Sequence, residues 1–91
     1  MGSETIDFSA GVLRNPGVGS AVIRYSLPAS GPVRIAIWDV TGRMVGRPVE
    51  RVESSGTHAF TFDPRGRGTQ LYFYRVEWQG ATRTGRFTIL E

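Results

Sequence analysis

Glycine and proline interrupt this chain so often that no stretch longer than about twelve residues escapes a turn signal. Twelve Gly and five Pro, spread along the whole sequence, leave room for strands and little room for helices. The segments between them carry the two-residue period of half-buried strands. In Ser20 to Leu27, Ile23, Tyr25 and Leu27 fall on one face and Arg24 and Ser26 on the other. Pro28 stops that strand, and Ala29-Ser30-Gly31-Pro32 supplies the turn, because proline cannot donate to a ladder and glycine tolerates positive φ.

Val33, Ile35 and Ile37 then alternate with Arg34, Ala36 and Trp38, up to a tight turn at Asp39-Val40-Thr41-Gly42. The return strand within Arg43 to Val52 is interrupted by Gly46 and Pro48, which predicts a bulged or edge strand. After Ser54-Ser55-Gly56, the residues His58, Phe60 and Phe62 alternate with Thr57, Ala59 and Thr61, and Asp63 to Gly68 forms a polar loop. From Leu71 to Trp78 the residues Tyr72, Tyr74, Val76 and Trp78 share a face, with Leu71 and Phe73 opposite, as in a central strand. Gln79-Gly80 reads as a hairpin turn into Thr82 to Leu90, which points Phe87 and Ile89 inward. With Thr5 to Phe8 as a short first strand, the count is about seven.

The expected fold class is therefore all-β: a small antiparallel sandwich of immunoglobulin-like or fibronectin type. Its core should contain Ile23, Tyr25, Val33, Ile35, Ile37, Phe60, Tyr72, Tyr74, Val76, Phe87 and Ile89. Ninety-one residues hold one domain. Met1-Gly2-Ser3 reads as an expression scar covering residues 1–3. Residues 4–14 read as a linker or short first strand and 15–91 as the domain, cut from a longer protein.

The chemistry-bearing residues are few. The chain has no Cys, which excludes disulfides, thiolate metal sites and a Cys nucleophile. His58 is the one imidazole, and without clustered carboxylates it reads as structural rather than as a base or metal ligand. Asp39 and Asp63 each precede a glycine-containing turn and are expected to cap it. No acidic calcium loop is present, and Gly66-Arg67-Gly68 lacks the strand-to-helix setting of a phosphate cradle. No catalytic residue, metal or cofactor is therefore expected. All eleven basic residues are Arg, and they alternate with eight acids instead of forming a block, which argues against a nucleic-acid footprint. No run of the sequence suggests insertion into a membrane. Trp38, opposite the Val33-Ile35-Ile37 stripe, is the aromatic expected to be exposed; Trp78 continues an inward register.

Several segments, taken in order, resemble a known family. They are Asn15-Pro16, Ile23-Arg24-Tyr25-Ser26-Leu27-Pro28, Val33-Arg34-Ile35-Ala36-Ile37-Trp38-Asp39, Gly42-Arg43-Met44-Val45, Gly56-Thr57-His58 and Leu71-Tyr72-Phe73-Tyr74-Arg75-Val76. Together, from Asn15 to Leu90, they resemble the C-terminal sorting domain of type IX secretion cargo, and in part the immunoglobulin-like domain of the flagellar hook-capping protein. The chain departs from the family in having Pro64 after Phe62-Asp63 and in ending Ile89-Leu90-Glu91.

The resemblance implies a non-catalytic sorting signal at the end of a secreted protein. Its partners would be the outer-membrane secretion machinery, the processing peptidase of that system and the upstream cargo domain. The parent protein would be exported across the outer membrane to the cell surface or beyond. The closing strand would then carry the recognition residues: Arg83, Arg86, Phe87, Ile89 and Leu90. Two other functions suit the same fold. One is a carbohydrate-binding accessory module of a secreted polysaccharide-degrading enzyme, working through Trp38; the other is a structural immunoglobulin-like spacer.

Overall fold

The computed structural model describes residues 7–91, and every regular element among them is a strand. The strands are β1 (Ser9–Leu13), β2 (Gly17–Val18), β3 (Ala21–Leu27), β4 (Gly31–Asp39), β5 (Val49–Glu53), β6 (Gly56–Phe62), β7 (Gln70–Trp78) and β8 (Ala81–Leu90). They form a three-stranded sheet in the order β1-β3-β6 and a five-stranded sheet in the order β2-β8-β7-β4-β5. All neighbours are antiparallel except the short β2, which runs parallel to β8. With β2 as a companion of the first strand, this is the A-B-E and G-F-C-C′ arrangement of an immunoglobulin-like sandwich of fibronectin type.

The inward stripe of each strand builds the core. Ile23, Tyr25 and Leu27 of β3 are fully buried and meet Val33, Ile35 and Ile37 of β4, Tyr72, Tyr74 and Val76 of β7, and Phe87 and Ile89 of β8. One expected core residue differs. Phe60 is only half-buried, packed under the Arg51 guanidinium, whereas Phe62 on the same strand packs edge-on to Tyr72 at 5.0 Å and to Phe87 at 5.9 Å between ring centroids and is the buried phenylalanine.

Turn chemistry fixes the connections. Gln79 and Gly80 both take positive φ (49° and 76°), as a two-residue hairpin with the twist of its strands requires. Between β4 and β5 the ladder opens. Trp38 pairs with Met44 and Ile35 with Val49, so Ala36 and Ile37 face the longer run Val45 to Pro48. The irregular return expected at Gly46 and Pro48 is this bulge, and β5 is an edge strand.

The first strand is β1, which pairs along β3 from Ser9–Ser26 to Leu13–Val22. The Thr5–Phe8 strand expected from the sequence falls partly outside the described residues, and residues 1–3, with the reading of a scar, fall wholly outside them. Phe8 itself precedes β1 and is buried.

Candidate functional site

Strand β8 lies between β2 and β7, and its alternation decides which of its residues can be read from outside. Phe87 and Ile89 point into the sandwich, 1% and 2% exposed, with Phe87 stacked on Tyr72 at 5.6 Å. Their side chains form core, so the five closing-strand residues singled out from the sequence do not make one surface. Arg83 shares the inward register but sits at the end of the sandwich. Its Nε donates to the Phe8 carbonyl at 2.9 Å, its Nη1 donates to the Thr82 carbonyl at 2.9 Å, and its guanidinium lies 4.8 Å from the Phe8 ring centre. Arg83 thereby fastens the chain leading into β1. Arg86 and Leu90 face outward with Thr84 and Thr88, and no carboxylate among the described residues pairs with Arg86.

The cross-strand register gives Arg86 its neighbours. Met44, Trp38, Phe73 and Arg86 form one row across the outer face of the five-stranded sheet. Leu71 and Thr88 follow in the next row, and then come Leu90 and Val18, paired across β8 and β2. Met44, Phe73, Leu90 and Val18 are all exposed, and Val40 in the adjoining turn adds another apolar side chain. A shallow depression of about 590 Å³ lies over this face, lined by Trp38, Phe73, Arg75, Thr84, Gly85 and Arg86. Exposed apolar side chains in adjoining rows, with an unpaired cation at the end of one row, are the chemistry from which interaction surfaces are built.

Trp38 belongs to this row but is half-buried, not an open plate. The Arg75 guanidinium lies 4.9 Å from its ring centre and is held there by Glu77, whose Oε1 is 3.0 Å from Arg75 Nε. Trp78 packs in the core margin against Phe8. Sequence reasoning missed Phe73, Leu71, Met44 and Val18 as parts of a surface. The legible signal was Phe73, an aromatic on the outward face of a central strand.

Outside this face the polar residues are absorbed by structure. The His58 Nε2 lies 2.7 Å from the Ser54 carbonyl, which ties the ring to the turn before β6, and Nδ1 is 3.8 Å from Glu53. Glu53 also accepts the hydroxyl of Tyr25, whose pKa burial and this carboxylate push up to about 12. The Asp39 Oδ1 accepts from the Thr41 backbone at 2.9 Å, the Thr41 hydroxyl at 2.5 Å and the Arg43 backbone at 3.2 Å, which is the expected turn cap. Asp63 instead pairs with the exposed Arg65 at 3.3 Å. Among the described residues no three His, Asp or Glu side chains gather as metal ligands would.

Compared with models of protein families, with curated proteins and with solved structures, the chain matches none of them.

Proposed function

We propose that this domain is a non-catalytic sorting signal, read by an outer-membrane secretion machinery through the outer face of its five-stranded sheet. The observation that carries this reading is the outward side of β8: the Arg86 and Leu90 side chains are exposed, Arg86 forms no ion pair among the described residues, and they stand beside Phe73, Trp38 and Val18. A reader that must accept many cargoes needs a surface lying wholly within the tag, and this face is built from β2, β4, the Val40 to Met44 turn, β7 and β8.

Further support comes from where the ordered sequence motifs sit. The Asn15 side chain accepts the Thr88 backbone N–H at 3.1 Å, so Asn15-Pro16 ties the chain before β2 to the closing strand. Leu27-Pro28 closes β3, and the Asp39 to Arg43 turn borders the outer face. On this reading the partners are the secretion machinery, its processing peptidase and the cargo domain upstream, and the destination is the cell surface or the medium. The domain itself hydrolyses nothing and holds no cofactor. Among the described residues no helix is long and apolar enough to cross a membrane.

The test is a reporter fused ahead of the domain in a host with this secretion system. Arg86→Ala combined with Phe73→Ser should abolish export while the purified variant keeps its strand circular dichroism spectrum. Normal export of that folded double variant would overturn the reading. Specific retention of the wild-type domain on a polysaccharide, lost with Trp38→Ala, would put a carbohydrate module in its place.

A further inference from the structure

Each sheet of an open sandwich ends in two edges, and natural sheets protect them with charge, proline, shortness or cover. Three of the four edges here are defended. The β2 edge has two residues and β8, left open beyond it, carries Arg83 and Arg86; β5 carries Glu50, Arg51 and Glu53; and Ala10 of β1 lies under Tyr74 of the facing sheet, whose hydroxyl is 3.5 Å from its carbonyl. The exception is β6. Its seven residues, Gly56-Thr57-His58-Ala59-Phe60-Thr61-Phe62, include no proline and no Asp, Glu, Lys or Arg. They pair in unbroken register with β3 on one side only.

Among the described residues, a side chain from the other sheet lies along the open side. The Arg51 guanidinium passes 5.4 Å from the Phe60 ring centre, and its Nη1 donates to the Ala59 carbonyl at 3.5 Å. That hydrogen bond shows which way the peptide groups face. The Ala59 carbonyl points away from β3, and by the period of the strand so do the backbone groups of Thr57 and Thr61. The side chains of all three are exposed on the solvent face.

We propose that β6 pairs antiparallel with β6 of a second copy of this chain, about a two-fold axis through Ala59, joining the two three-stranded sheets into one. A segment with its outward peptide groups at Thr57, Ala59 and Thr61 is self-complementary about its middle residue. Ala59 faces Ala59 of the second copy as a hydrogen-bonded pair, and Thr57 faces Thr61 of the second copy in the same way. His58 lies opposite Phe60 of the second copy, which covers the half-buried Phe60 ring from the side that β6 leaves open. No charge on β6 opposes its own image. Arg51 is the displaceable guard: it must leave the Ala59 carbonyl before the second strand can bind. This dimer is independent of the sorting reading, because β6 and the outer face of the five-stranded sheet belong to different sheets.

The test is mass by sedimentation equilibrium on the whole chain from micromolar to millimolar concentration. The wild-type mass should rise from one chain to two. Ala59→Lys and Ala59→Glu, each placing like charges across the axis, should both remain at the mass of one chain, and their equimolar mixture should recover the dimer. Ala59→Pro deletes an edge N–H without touching the β3 ladder and should also stay monomeric with an unchanged strand spectrum. Arg51→Ala, by clearing the edge, should lower the concentration of half-association by about tenfold. A wild-type chain that keeps a one-chain mass throughout overturns the proposal, as does a dimer that forms equally well with Ala59→Lys alone.

Discussion

Tyr74 lies directly across β7 and β8 from Gly85, and a Cβ on that glycine would fall 2.5 to 2.6 Å from the phenol ring and hydroxyl. The missing side chain lets the ring fold over its cross-strand partner and reach β1, where the hydroxyl approaches the Ala10 carbonyl at 3.5 Å. One glycine thus sets how the closing hairpin meets the first strand. Gly85→Ala should destabilise the domain by about 1–3 kcal/mol, the cost of forcing an extra methyl into a packed core. Thermal unfolding measures this. The double variant Gly85→Ala with Tyr74→Leu should recover part of the loss, because the clash belongs to the pair.

Glu53 links the sheets by a different chemistry. It leaves β5 in the five-stranded sheet and accepts the hydroxyl of the fully buried Tyr25 in the three-stranded one, with His58 and Arg51 beside it. Burial first, and the hydrogen bond to Glu53 next, raise the Tyr25 pKa from 10.0 to about 12. A raised folded-state pKa means that the folded chain holds this proton more tightly than the unfolded one. The stabilisation is complete below pH 10 and disappears as pH climbs towards 12. Burial raises Tyr72 and Tyr74 as well, so none of the three tyrosines should ionise at the ordinary value. Phenolate absorbance should therefore emerge late in an alkaline titration, together with unfolding. Tyr25→Phe should cost about 1–2 kcal/mol at neutral pH by leaving Glu53 without its donor.

Acid acts at the opposite end of the sheet. The Thr41 hydroxyl, with smaller help from the Arg43 and Thr41 backbone, lowers the Asp39 pKa below 3.8. A lowered pKa gives stability that is present above the ordinary carboxylate range and lost as pH falls through the folded value. The Asp39 carboxyl carbon, followed by NMR, should titrate below the ordinary carboxylate range. Asp39→Asn should flatten the acid limb of the stability profile by lowering its neutral plateau towards the acid value.

The strands that could be read from sequence were those with an unbroken two-residue period. Val33, Ile35 and Ile37 of β4, and Tyr72, Tyr74 and Val76 of β7, kept both their faces. Gln79-Gly80 gave its turn away because few other pairs accept two positive φ values. β1 did not show in the same way: Ser-Ala-Gly-Val-Leu has small residues where an inward stripe should stand, and its strand character comes from pairing with β3. The Phe60 and Phe62 pair was ambiguous for a related reason. Both lie in the inward register, and the partners across the sandwich decide which is buried: Phe62 meets Tyr72 and Phe87, while Phe60 meets the Arg51 guanidinium. The candidate surface was half legible: Arg86, Leu90 and Trp38 were named, while Phe87 and Ile89 had to be core for β8 to close the sandwich. Which outward residues become neighbours depends on register between strands far apart in sequence, and composition carries no trace of that.

Arg83 and Arg86, three residues apart, have opposite tasks, and separating them tests the proposed function. Arg83 spends its guanidinium on the Phe8 carbonyl and ring, whereas Arg86 makes no ion pair among the described residues. Arg83→Ala should cost about 1 kcal/mol and expose the chain around Phe8 to proteolysis, which limited digestion and mass spectrometry would locate. Arg86→Ala should change stability by less than about 0.5 kcal/mol, because it removes an exposed side chain without partners. Their effects on export should run the other way. In the reporter fusion, Arg86→Ala should weaken export at full stability, while Arg83→Ala should leave export near the wild-type level wherever the domain stays folded. If export instead tracks stability across both variants, and Arg86→Ala exports normally, then β8 acts only by closing the sandwich and its outer face is not what the machinery reads.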